Sequence, residues 1–177
     1  MTLTRLTLAT LTLSTLTITA CATMQVNSYV ERGADVTRYR TYEWAAPDTQ
    51  ATGDPRLDNN EFFRGRIQSQ VDRRLSGLGF ELTAAAPDLV VHYHASVAQE
   101  VNANAVDQLD TSCEDCEAFV YDAGTIVVDL VDARTRRLVW RGWAEGSLDG
   151  AIDSQAAMER QIDEAITKIM ERLPRRL

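Results

Sequence analysis

GTIVVDLVDARTRRLVWRGWAEG, Gly124–Gly146, is the stretch on which the fold turns. Along its first arm Ile126, Val128 and Leu130 alternate with Val127, Asp129 and Val131. Along the second, Leu138, Trp140, Gly142 and Ala144 alternate with Val139, Arg141, Trp143 and Glu145. Period-two alternation on both sides of a short polar segment predicts an antiparallel hairpin with one face in the core. Asp132 and Thr135 suit the turn because their side chains can bond their own backbone, and Arg134, Arg136 and Arg137 keep it in water.

Outward from this hairpin the chain offers few other strong signals. It has 177 residues, 45% of them apolar and 25% charged, which is enough for one domain with a core. The formal charge is −8. Residues 1–20 hold one basic side chain, Arg5, so the remainder carries 17 basic and 26 acidic groups, or −9. Such a surface repels nucleic acid and anionic lipid heads, and no nucleic-acid partner is expected. After residue 20 no stretch is long and apolar enough to cross a bilayer.

Residues 1–20, MTLTRLTLATLTLSTLTITA, place one positive charge before an uncharged Leu/Thr/Ile/Ala run that ends in a small residue ahead of Cys21. The alternation alone would read as a strand, but the position and length are those of a secretory signal. Ile18-Thr19-Ala20-Cys21 resembles a bacterial lipobox, whose cysteine is linked to diacylglycerol and becomes the new N-terminus. Two or more acyl chains hold a protein stably on a membrane. Ala22 after the cysteine implies, by resemblance to enterobacterial sorting, the outer membrane and a domain facing the periplasm. The expected division is a lipoprotein signal peptide over 1–20, a lipidated tether over 21–25 and a single domain over 26–177.

Val26–Val30 and Arg38–Trp44 read as short strands around a Gly33 turn, and residues 45–57 as a loop. A helix is predicted over Asp58–Gly79, with Asp58 as N-cap, Glu61 completing a capping box and Phe63, Ile67, Val71, Leu75 and Leu78 as its stripe. Arg64, Arg66, Arg73 and Arg74 lie off that stripe, as a solvated face or a phosphate patch. A second helix is predicted over Asp153–Leu173, capped by Asp153 and stopped by Pro174, with Ile162, Ile166, Ile169 and Leu173 inward. Arg172, Arg175 and Arg176 suit its negative end or an envelope phosphate.

Asp88–Ala98, DLVVHYHASVA, is a strand that sends Leu89, Val91, Tyr93, Ala95 and Val97 to one face. His92 and His94, the only histidines, share the other face. Two imidazoles so spaced are either a polar outer face or the start of a metal or proton-transfer site. Residues 99–117 form a long acidic loop containing Cys113-Glu114-Asp115-Cys116. With Cys21 acylated, these two thiols are the pair an oxidising compartment would bridge, in a loop small enough that the bond contributes only about 2 kcal/mol. A zinc site formed by both cysteines with His92 and His94, or a redox dithiol, are the alternatives.

With these residues in view, the chain resembles the bacterial lipoproteins grouped as domain of unknown function 4136. The likeness rests on Cys21, on YRTYEW over 39–44 (the family's "kTYaW") and on Leu78-Gly79-Phe80. It rests further on Pro87–Val91 (the family's "pDllV") and above all on Gly124–Gly142, similar to "Gtl.idlvDaktgklvWrG". No catalytic residue comes with the resemblance, and the CEDC segment lies outside its pattern. The expected fold is α+β, β-β-α-β-β-β-α in chain order, with a largely antiparallel sheet and both helices on one face. The expected core is Tyr42, Trp44, Phe63, Ile67, Val71, Leu75, Leu89, Val91, Tyr93, Ile126, Val128, Leu130, Leu138, Trp140, Ile162, Ile166 and Ile169. The expected function is a non-enzymatic binding or structural accessory of the cell envelope, with no cofactor, no metal and no catalytic residue. It would be held by lipid at Cys21, would meet an envelope protein, and would carry a disulfide at Cys113 and Cys116. The alternative is a metal-dependent or thiol-redox enzyme using His92, His94, Cys113 and Cys116. A small apolar ligand held between sheet and helices is a third possibility.

Overall fold

A computed structural model describes residues 24–47, 49–101 and 120–175. Residues 1–20, read from the sequence as a signal peptide, and Cys21, Cys113 and Cys116 lie outside the described residues. The elements run β1 (Gln25–Val30), a single 3-10 turn (Val36–Arg38), β2 (Thr41–Trp44), α1 (Glu61–Gly77), β3 (Glu81–Leu82), β4 (Leu89–Val101), β5 (Val120–Asp132), β6 (Leu138–Ser147) and α2 (Gln155–Glu171). Six strands make one sheet in the order β1-β6-β5-β4-β2-β3. The fold is α+β as expected, but the sheet is mixed. β1·β6, β6·β5 and β5·β4 are antiparallel, whereas β2 runs parallel to both β3 and β4. The reason is local: α1 lies between β2 and β3, a crossover helix returns the next strand in the same direction, and the connection 83–88 then carries the chain past β2 to β4 in that direction too.

The alternation around the central hairpin is realised, with one correction. Val128, Leu130 and Trp140 are fully buried, but Leu138 is only partly covered, and its neighbour Val139 is buried in its place. Leu130 lies opposite Trp140 and Val131 opposite Leu138, so Val139 is an extra residue in β6. This bulge turns Val139 and Trp140 both into the core. Trp44, Tyr93 and Ile126 are partly buried against the core rather than within it. Residues from the inner sheet face and from both helices form one apolar cluster. Among the described residues no helix covers the opposite sheet face.

Both helices are capped later than the sequence implies, α1 by two residues at Asn60 and α2 by one at Ser154. Asn59 has φ of 55°, which breaks the helix before Asn60, and Asn60 Oδ1 caps α1 by accepting from Phe63 N at 3.0 Å. Asp58 instead closes the preceding loop, taking hydrogen bonds from Thr52 N and Oγ1 at 2.7 and 2.9 Å. Ser154 caps α2, and Asp153 pairs with Arg56. At the end of α1, Gly79 takes φ of 80° and Phe80 N donates to Leu75 O at 3.0 Å, the Schellman closure that explains Leu78-Gly79-Phe80. Two of the four α1 arginines are not merely solvated. Arg66 forms a two-point ion pair with Asp163, and Arg74 donates to Thr167 Oγ1 at 2.6 Å. Both bonds run from α1 to α2 and clamp the helices side by side.

The other motifs of the resemblance also have structural roles. Tyr42 Oη and Trp44 Nε1 both donate to Asp72 Oδ1 of α1, at 2.7 and 2.9 Å. Asp88 Oδ2 accepts from Arg40 N and Thr41 N, at 2.7 and 3.1 Å, tying the starts of β2 and β4 together. Those backbone donors, Arg40 first, hold its carboxyl below the ordinary range.

Candidate binding face

The face without helices is assembled by strand register. His92 lies opposite Asp129, Asp129 opposite Arg141, and Arg141 opposite Tyr29. The next row is His94, Val127, Trp143 and Asn27, and the one after it Ser96, Thr125, Glu145 and Gln25. Alternation therefore delivers both histidines to this face, as expected. Their rings are near-parallel at 13°, with centroids 6.4 Å apart.

Between them the face carries a pair that the sequence reading did not single out. Arg141 Nε and Nη2 donate to Asp129 Oδ1 and Oδ2 at 2.7 and 2.6 Å, the two-point geometry of the strongest ion pairs. Asp129 is only 5% exposed although strand alternation turns it to the open side. The bonds from Asp129 raise the Arg141 pKa, so the guanidinium stays charged. His94 Nε2 lies 3.9 Å from Asp129 Oδ2, too far for a hydrogen bond. A signal for the pair was present: an aspartate and an arginine on the outer faces of two arms of one hairpin, equidistant from its turn.

Arg141 engages both Asp129 oxygens, taking two of the carboxylate's roughly four lone-pair sites. Among the described residues no three His, Cys, Asp or Glu side chains gather where they could hold a metal ion. Beside the histidines the β4 edge borders a cleft lined by Trp44, Pro47, Thr49, Gln68 and Tyr93 as well as His92 and His94. On the core side, an apolar cavity of about 50 Å³ lies among Met24, Phe63, Ile126, Leu148 and Met158. Cavities that hold a benzene-sized ligand are about 150 Å³, so capture of an apolar ligand there would require sheet and helices to part.

A second polar group organises the β5–β6 turn. Asp132 Oδ1 accepts from Thr135 N and Arg134 N at 2.7 and 3.0 Å, and Oδ2 from Tyr39 Oη at 2.9 Å. The Thr135 backbone donor, with Tyr39 and Arg134, lowers its carboxyl to a pKa of about 2.

Residues 26–175 match the family described as Domain of unknown function (DUF4136). The chain belongs to this family. No curated protein sequence matches it closely enough to count as a relative. Among solved structures, a PDZ domain protein from Parabacteroides distasonis is similar with a TM-score of 0.56 and 14% identity, over 88% of this chain and 38% of that one. The chain thus spans well under half of that protein's length, and the likeness establishes a shared fold alone. A PelC dodecamer from Paraburkholderia phytofirmans follows at 0.48 and 14%, over 88% of this chain and 100% of that one. A minor lipoprotein from Acinetobacter baumannii follows at 0.44 and 11%, over 77% and 93%. In this DUF4136 chain the motif residues Asp88, Asp132, Gly79 and Trp140 close turns, tie strands or fill the core, whereas Asp129 and Arg141 of the same pattern pair on the open face.

Proposed function

We propose that this DUF4136 protein is a non-enzymatic accessory of the bacterial envelope. Lipid chains on Cys21 hold it to the outer membrane facing the periplasm, and its open sheet face binds an envelope protein. The observation that carries this reading is the tetrapeptide Ile18–Cys21 lying four residues ahead of β1. Four residues reach at most about 14 Å, so an anchor at Cys21 keeps the sheet close to the bilayer. Among the described residues no helix is long and apolar enough to cross a membrane. The open face offers Trp143, Tyr29 and Arg141, the residue types over-represented where proteins meet. The enzyme alternative, with His92, His94, Cys113 and Cys116 as ligands or redox groups, has less support because Arg141 occupies the carboxylate beside the imidazoles. Elemental analysis with thiol titration decides it: bound metal or reactive thiols would favour the enzyme. Membrane fractionation of the wild type and Cys21→Ala tests the anchor. The wild type should sediment with membranes and the variant should not; equal distribution would end the proposal.

A further inference from the structure

We infer that β1 is a self-association edge, pairing antiparallel with β1 of a second copy to join two sheets into one. Among the described residues β1 ends the sheet, hydrogen-bonded on one side to β6. Glu31 N donates to Val139 O of β6 at 3.0 Å. Backbone direction alternates along a strand, so the N–H and C=O groups of Val26, Ser28 and Val30 point away from β6. Sheet edges are normally blunted by proline, charge, bulges or brevity. At the other end of the sheet β3 is two residues long, and beyond Val91 the side of β4 away from β5 faces the 45–57 loop, where Val97 N donates to Thr52 O. The β1 sequence QVNSYV has six residues with no proline, glycine or charge, and the β1–β6 register has no shift.

The occupant is argued from self-complementarity. A two-fold axis through Ser28 sets the outward groups of Val26 and Val30 against those of Val30 and Val26 in the other copy, and Ser28 against itself. Residues opposite one another then share a sheet face, as an antiparallel ladder requires. On the helix side Val26 meets Val30, which is 40% exposed in the single copy. On the open side Asn27 meets Tyr29, which is 46% exposed. Two copies that each carry the −9 of residues 21–177 repel over most of their surfaces, and an uncharged edge is where approach is least opposed. A six-residue strand pair buries less than the roughly 1,200 Å² of a standard stable interface, so the association is weak and concentration-dependent.

Single-cysteine reporters in the full chain in detergent, in a Cys113→Ser/Cys116→Ser background, test it at protein concentrations on the order of 0.1 mM. Opposed Ser28 Cα atoms would stand about 5.5 Å apart, within disulfide reach. Mild oxidation should therefore link Ser28→Cys into a dimer, while Gln25→Cys, about 20 Å from its counterpart, stays at the level of the parent. Val26→Pro removes an outward N–H without touching the β6 ladder and should abolish the link. Val30→Lys should do the same if the proline variant fails to fold. Equal cross-linking of both reporters, no cross-linking of Ser28→Cys, or a dimer indifferent to both blocking variants would overturn the inference.

Discussion

The indole of Trp140 lies on the α-carbon of Gly142. A Cβ placed at Gly142 would stand 2.4 Å from Trp140 Cη2 and 2.7 Å from Ile169 Cγ2, far inside contact distance. Trp140 is fully buried, so the ring has nowhere to go. Gly142→Ala should cost about 1–3 kcal/mol as overpacking, and Trp140→Ala about 3–5 kcal/mol as a vacated aromatic site. The two should be strongly non-additive in urea midpoints, because removing the ring opens space for the methyl group.

Asp72 accepts from both Tyr42 and Trp44, and burial together with the Asp72 bond raises the Tyr42 pKa. Asp72→Ala leaves two donors without a partner at the β2–α1 contact. A loss of about 2–3 kcal/mol in denaturant unfolding is expected, with Asp72→Asn recovering part of it.

Asp132 gives the fold an acid sensitivity whose sign follows from its lowered pKa. The stabilisation is present above about pH 4, where the unfolded carboxylate is also ionised, and is lost as pH falls through about 2. Between those limits the wild type should lose about 2 kcal/mol more than Asp132→Asn. Thermal unfolding at stepped pH measures the difference.

Arg136 sits in the same turn at φ of 58°. Left-handed backbone costs a side-chain-bearing residue roughly 1 kcal/mol, and the family pattern has glycine at this place. Arg136→Gly should therefore raise stability by up to about 1 kcal/mol, seen as a higher urea midpoint.

Arg141→Ala strips the Asp129 carboxylate of its partner. Because Arg141 is itself half-exposed, water can reach part of the vacancy, and the loss should be about 1–3 kcal/mol. Asp129→Ala in the same chain should restore most of it, a coupling that a double-mutant cycle reads directly.

Much of this architecture was legible because the local signals were periodic. The hairpin faces, both helix stripes and the shared face of His92 and His94 all follow from spacings of two or of three and four. What escaped depended on neighbours that alternation does not encode. The bulge at Val139 adds one residue and trades Leu138 for Val139 in the core. The parallel pairing of β2 with β4 was implicit in a helix lying between two strands, yet the many amphipathic strands favoured an antiparallel reading. The caps moved because Asp58 and Asp153 found partners in Thr52 and Arg56. The Asp129–Arg141 pair needed the exact hairpin register before its two halves could be seen as one group.

The account depends most on the anchor, and intact-protein mass spectrometry of chain purified from membranes tests it most directly. The predicted result is a polypeptide beginning at Cys21 and carrying the added mass of diacylglycerol on that residue. An N-terminus at Met1, or a cleaved chain with an unmodified Cys21, would contradict it.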